Sequence, residues 1–259
     1  MHPMNMKRLT RHSLLSLGAT LVLASGVATA ADDLPAPIKN LQAQGVEIKG
    51  QFDAPGGVQG YAISNRGQGY TAYVTGDKQH VIVGTMLDAE GNDLSTPALS
   101  KLVDGPANVA LWGDIEKSHW VREGKEDAPR IVYVFSDPNC GFCQRFWRDA
   151  QPWVEAGKVQ LRHIMVGVIK PQSAAQSAAL LNSKDPGLAI AKHFGTGQQP
   201  TDYSDENMQW VIKNTNMMRE HNLNYTPVIL YKEGDDVQRV DGSPTADKLT
   251  EIMGSEKPS

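Results

Sequence analysis

The chain has only two cysteines in 259 residues, and they lie three positions apart, at Cys140 and Cys143. That scarcity excludes a scaffold stapled by several bridges, the usual role of cysteine in small exported domains. A bridge across so short a loop contributes about 2 kcal/mol on the chain-entropy model, against about 3 for a 15-residue loop. A structural role for the pair is therefore weak. Positive charge is also in short supply: the formal net charge is −4, with no basic stripe, which argues against nucleic acid as a partner. The seven histidines are scattered without ligand spacing, and Cys140 and Cys143 alone are half of a zinc site, so no metal and no other cofactor is expected. Beyond residue 27 no apolar run approaches the roughly 20 residues a spanning helix needs. Repeats and low-complexity tracts are absent too.

What is present begins with a leader. Lys7, Arg8 and Arg11 form a basic start, residues 14–27 are apolar or small, and Ala28-Thr29-Ala30 offers a small-x-small cleavage site. Residues 1–30 read as a signal peptide cut after Ala30, which makes the mature chain an exported, periplasmic protein that does not span the membrane. The leader carries three basic residues and no acidic one, so the mature chain is more acidic still.

Residues 31–92 read as a small α+β unit. Leu34, Ile38 and Leu41 lie at helical spacing around Pro35 and Pro37, and Gly45 ends that segment. Alternating runs at 46–52, 61–64, 70–74 and 80–86 follow, separated by Pro55-Gly56-Gly57, Asn65-Arg66-Gly67 and Thr75-Gly76-Asp77-Lys78. Four strands and one helix make a marginal core, the kind that gains by pairing with a second copy. Residues 93–115 read as a linker helix that Gly105-Pro106 should break or restart. Leu111, Trp112 and Ile115 form an apolar stripe that could run on to Trp120, and Gly124 to Pro129 form a charged turn.

Residues 116–259 form the second large unit. The run Ile131-Val132-Tyr133-Val134-Phe135 is continuously apolar, as in a strand covered on both faces. Asp137-Pro138-Asn139 makes a turn, and Cys140 opens a helix that carries Cys143, Phe146 and Trp147. A strand at 159–169 completes a βαβ unit. A helical, Ala-rich insertion follows at about 172–223, broken at Gly195-Thr196-Gly197. Then come a hairpin around Glu233-Gly234-Asp235-Asp236 and a last helix at about 245–253.

A cysteine that opens a helix meets unpaired N–H groups and the positive end of the dipole, which favour its thiolate. A free thiol is only about 3% ionised near pH 7. The dipole alone shifts this by less than about one unit, so amides of residues 142 and 143 are expected to supply the rest. Cys140 is thus the candidate nucleophile. Cys143, one turn on and facing inward, is the candidate resolving thiol, and Gly141-Phe142 between them brings no cation. Thr226-Pro227 precedes an apolar strand: a cis bond would pack that turn beside the cysteines and offer backbone to a substrate, whereas a trans bond would be an ordinary strand start.

These residues carry a resemblance. Val134-Phe135-Ser136-Asp137-Pro138, Cys140-Gly141-Phe142-Cys143 and Thr226-Pro227 resemble the bacterial periplasmic DsbC/DsbG group of thioredoxin-like proteins. Leu34-Pro35-Ala36-Pro37, Phe52-Asp53-Ala54-Pro55-Gly56-Gly57, Ser118-His119-Trp120 and Val166-Gly167-Val168-Ile169-Lys170-Pro171 extend the likeness over the mature chain. It implies an α+β protein with an N-terminal cystatin-like dimerisation domain, a helical linker and a C-terminal thioredoxin-like domain with a helical insertion. It also implies a V-shaped homodimer, a cis bond before Pro227 and a dithiol kept reduced by a DsbD-like membrane reductase. The implied substrates are misoxidised or sulfenylated periplasmic proteins. One branch of the group carries Pro-Tyr between the cysteines; Gly141-Phe142 is nearer to the other branch.

The function expected is a disulfide isomerase and reductase, including reduction of sulfenic acids on lone cysteines. A dithiol oxidase of the DsbA type and a redox-independent chaperone are the competing readings.

Overall fold

The computed structural model describes residues 34–258; the expected leader and its cleavage site lie outside them. Helix α1 (Ala36–Ala43) starts at Pro35 and accommodates Pro37 in its first turn, where a missing N–H costs nothing. Strands β1 (Glu47–Asp53), β2 (Gln59–Asn65), β3 (Gln68–Val74) and β4 (Val81–Val83) form an antiparallel meander in that order. The fourth strand is shorter than its sequence pattern. At Gly84 (φ 154°) the chain leaves the ladder after exchanging bonds with Thr71, whose Oγ1 donates to the Gly84 carbonyl at 2.6 Å.

Of the two outcomes expected at Gly105-Pro106, the linker shows the restart. Helix α2 (Thr96–Leu99), a π-helical stretch (Ser100–Asp104) and helix α3 (Gly105–Ile115) run on without a break. The wider turn lets the Gly105 N–H bond to the Ser100 carbonyl, so Pro106 is accommodated where a regular turn would clash. Its first half lies on the meander: a methyl group on Gly50 or Gly69 would come within 3.2 Å of Leu102 or 3.1 Å of Val103. Tyr73 and Ser95 share a 2.6 Å hydrogen bond beneath it. The helix stops at Ile115, so Trp120 is not on its stripe. Trp120 instead precedes β5 (Val121–Glu123), a strand not expected from the sequence, and packs edge-on against Tyr133.

The second sheet is completed by β6 (Arg130–Ser136), followed by α4 (Gly141–Glu155) and β7 (Val159–Met165). Helices α5 (Ser173–Leu181), α6 (Pro186–Thr196) and α7 (Asp205–Glu220) form the insertion. Strands β8 (Val228–Glu233) and β9 (Asp236–Asp241) and helix α8 (Ala246–Met253) close the chain. The order is β5-β7-β6-β8-β9, with β6 parallel to β7 and antiparallel to β8. Alternate residues of β6 serve opposite faces. Tyr133 and Phe135 pack with Leu111, Trp112 and Ile115 of α3 and Met217 and Met218 of α7. Val132 and Val134 pack with Phe146, Ala150 and Trp153 of α4 and Leu249 and Ile252 of α8. Fully burying each such side chain stabilises by about 1.5–3 kcal/mol. A parallel βαβ core with an antiparallel hairpin and helices on both faces is the thioredoxin-like arrangement, here with three inserted helices. The insertion has a second break besides Gly197: Asp185 caps α6 by accepting from the Leu188 N–H at 3.0 Å, and Pro186 begins it.

Candidate active site

Strand β6 ends at Ser136, and the turn Asp137-Pro138-Asn139 delivers Cys140 to the N-cap of α4 in an extended conformation (φ −90°, ψ 107°). Its sulfur accepts the Cys143 N–H at 3.1 Å, the place a capping oxygen normally takes. Of the two amides expected to serve this sulfur, Cys143 is the one that bonds to it. The two cysteines are joined as a disulfide with their Cα atoms 5.2 Å apart. Cys140 is 6% exposed and Cys143 1%, so the first of the pair is the one nearer solvent. Both sit in a cluster with Met165, Ala178, Ile190 and Phe194, so the insertion forms one wall of the site.

The Thr226–Pro227 bond is cis, and the Thr226 carbonyl oxygen lies 3.2 Å from Cys140 Sγ. This turn brings a segment 86 residues downstream against the cysteine. Thr226 Oγ1 is buried without a hydrogen-bond partner among the described residues. Of the intervening dipeptide, Gly141 has open space where a side chain would project, and Phe142 is 57% exposed. The dipeptide has no cation of its own, but the Arg145 guanidinium lies 5.5 Å from the Phe142 ring centroid. The i, i+3 spacing of Phe142 and Arg145 was the available signal for that pair.

The residues that sequence reasoning missed hold the turn. The Asp137 carboxylate is fully buried and accepts from Asn139 N (2.8 Å), Ser173 Oγ (2.8 Å), Val168 N (2.7 Å) and Ile169 N (2.9 Å). Asn139 Nδ2 donates to Ser173 Oγ and, at 2.6 Å, to Gln176 Oε1. His193 Nε2 lies 2.8 Å from the Pro138 carbonyl oxygen, to which it donates. Behind the helix, Glu123 accepts from the Trp147 indole (3.0 Å) and Gln151 (3.1 Å) and pairs with buried His163 at 2.8 Å. Apart from the Asn139–Asp137 bond, which is local, these contacts have no spacing signature, because each joins elements distant in the chain. Among the described residues, no group of three or more His, Cys, Asp or Glu is placed to hold a metal ion, and no helix is long and apolar enough to cross a membrane.

A vicinal cysteine pair at a helix start, faced by a cis-proline turn on this sheet, defines a thioredoxin-like thiol–disulfide oxidoreductase, and the family model of the thioredoxin-like domain matches residues 120–256. A thiol:disulfide interchange protein DsbG of Pseudomonas aeruginosa is 45% identical over 95% of this chain and 99% of its own length. The DsbG of Escherichia coli is 42% identical over 87% of this chain and 93% of its own. The chain belongs to the DsbG family of thiol:disulfide interchange proteins. A probable DsbC of Bordetella pertussis is similar at 27% identity over 50% of this chain and 43% of its own length.

Proposed function

We propose that Cys140 is the attacking thiolate and Cys143 the resolving thiol of a periplasmic isomerase and reductase. The observation that carries this is the capping of α4 by Cys140 Sγ, where one sulfur receives a backbone N–H in the first turn of a helix. An N–H aimed at sulfur together with the helix dipole favours its anionic form. In the forward reaction the Cys140 thiolate attacks a substrate disulfide. A Cys140–substrate bond forms and the substrate's other sulfur leaves as thiolate. Cys143 then attacks Cys140 Sγ, expelling the substrate sulfur and closing the Cys140–Cys143 bond, so that two electrons pass to the substrate. With a sulfenic acid the first step expels hydroxide, which leaves as water after protonation, and the second step is the same. Thr226 and Pro227 offer backbone to the bound chain, and Gly141 and Phe142 tune the pair.

In this reading residues 1–30 are the cleaved leader, 31–92 the dimerisation domain, 93–115 the linker and 116–259 the catalytic domain with its insertion. Strand β4 supports dimerisation: among the described residues it pairs only with β3, and Ile82 and Val83 are exposed on it. A DsbD-like membrane reductase is the electron donor, and misoxidised or sulfenylated periplasmic proteins are the acceptors.

Trapping tests the reading. Cys143→Ala should accumulate mixed disulfides between Cys140 and periplasmic proteins, and Cys140→Ala should accumulate none. Captured partners with several cysteines mark isomerisation, and partners with one mark sulfenic acid reduction. Protection of sulfenylated proteins that survives Cys140→Ala would overturn the redox account in favour of a chaperone. Deletion of residues 31–92 should yield a monomer that is oxidised in cells, as a DsbA-type oxidase is. An unchanged redox state would count against the dimer's role.

A further inference from the structure

Asp137 is a buried carboxylate with no ion-pair partner among the described residues. Burying a carboxylate costs several kcal/mol unless its oxygens are fully hydrogen-bonded. Four donors do this here, and two are the successive amides of Val168 and Ile169, in the loop that follows β7. Ser173 Oγ is saturated as well: it donates to Asp137 Oδ1 and accepts from Lys170 N (3.0 Å) and Asn139 Nδ2 (3.0 Å). The loop between β7 and α5 is thereby fastened to the turn that carries Cys140.

That loop presents two exposed apolar side chains, Val168 and Ile169. Holding them rigidly in solvent contributes nothing to the core. Two other exposed apolar residues lie on the segments that meet at Cys140: Phe142, two residues beyond it in the chain, and Tyr225, 66% exposed and next in the chain to Thr226, whose carbonyl oxygen lies 3.2 Å from Cys140 Sγ. The loop is joined to Asp137, whose carbonyl accepts the Cys140 N–H, the helix start follows Cys140 directly, and the cis-proline turn meets its sulfur. Single exposed apolar residues need no explanation, but a group around one reactive atom does.

We propose that the Asp137–Ser173 clasp is a positioning and specificity device: it fixes Val168 and Ile169 as a lip that receives apolar side chains flanking the reacting cysteine of a polypeptide substrate. This rests on Cys140 being the attacking thiol. A substrate too small to reach the lip gains nothing from it.

The test compares second-order reduction rates, and KM against kcat, for a peptide disulfide with apolar residues beside its cysteine and for 2-hydroxyethyl disulfide. The variants are Ser173→Ala, which leaves the charge unchanged, Val168→Ser/Ile169→Ser, which keeps both amides, and their combination. Ser173→Ala and the lip variant should each raise KM for the peptide about ten-fold, the scale of losing a small apolar contact. For the lip variant, which leaves the turn's hydrogen bonds in place, the rate with 2-hydroxyethyl disulfide should stay within about two-fold. The combination should be no worse than the lip variant alone, since both remove one device. Effects that multiply, or a small-disulfide rate that falls in step, would overturn the proposal. Asp137→Asn repeats the comparison with the charge removed. Cys140→Ala separates the two readings: reduction of either substrate without Cys140 would sink the nucleophile assignment itself.

Discussion

Thr226→Val should make the protein more stable. The Thr226 side chain is almost fully buried beside the redox pair, and its hydroxyl has no hydrogen-bond partner among the described residues. An unpaired hydroxyl in such a place costs about 1–3 kcal/mol relative to its hydrated state in the unfolded chain. Valine has nearly the same shape and nothing to satisfy, and it suits the extended backbone that precedes a proline. Removing the hydroxyl should therefore return about 1–2 kcal/mol, after allowing for loss of any transient bond to water. For a chain of this size each kcal/mol moves the melting temperature by about 2–4 °C, so a rise of about 2–8 °C is expected. Differential scanning calorimetry on the full chain, with the pair reduced and then oxidised, reads this directly. A fall in melting temperature in both redox states would refute the reasoning, since it would mean that the hydroxyl is satisfied in the folded protein. A natural sequence that keeps an unmet polar group at its reactive centre is retaining it for something other than stability.

Gly141→Pro should be tolerated and should stabilise by about 0.5–1 kcal/mol, because the first helical position suits proline, no neighbour obstructs it and Cys140 already has an extended ψ. Urea denaturation of the reduced protein checks this, and a loss of stability would show that the Gly141 N–H is needed. Burial holds the His119 imidazole below its ordinary value, against the opposing pull of Glu206. The unfolded state therefore takes up the proton first, so the contribution of His119 is present above about pH 6.5 and lost as pH falls below it. The melting-temperature gap between wild type and His119→Gln should shift in the variant's favour between about pH 7.5 and 5; a gap independent of pH would contradict it.

Local signals made much of this molecule readable. The uninterrupted apolar run at Ile131–Phe135 announced a strand covered on both faces, and α3 and α4 cover it from opposite sides. The cysteine spacing and the turn before it marked the start of α4, because capping and helix onset are written within four residues. Features made by distant partners were not readable. Strand β5 is three residues long among charged neighbours and exists because β7 pairs with it. The break before Pro186 did carry a local signature, Asp185 followed by proline, within an otherwise helical composition. Pro106 restarts α-helical geometry rather than ending the helix, because proline's cost depends on the regularity of the preceding turn, and the π-helical stretch changes that turn. The same limit hid the role of Asp137: Asn139 is a local donor, but the other three, Val168, Ile169 and Ser173, come from beyond β7, and no period in the chain relates them.

The unbroken rod from Thr96 to Ile115 also sets a mechanical condition. Its early turns are seated on Gly50 and Gly69 of the meander, and its late turns are seated in the core beneath Tyr133. Such a strut transmits torque, whereas a loose tether would absorb it. One alanine inserted after Ala110 would turn everything upstream by about 100° and advance it about 1.5 Å, unscrewing one seat while the other holds. Natural length variation should therefore be confined to the stretches on either side of this rod.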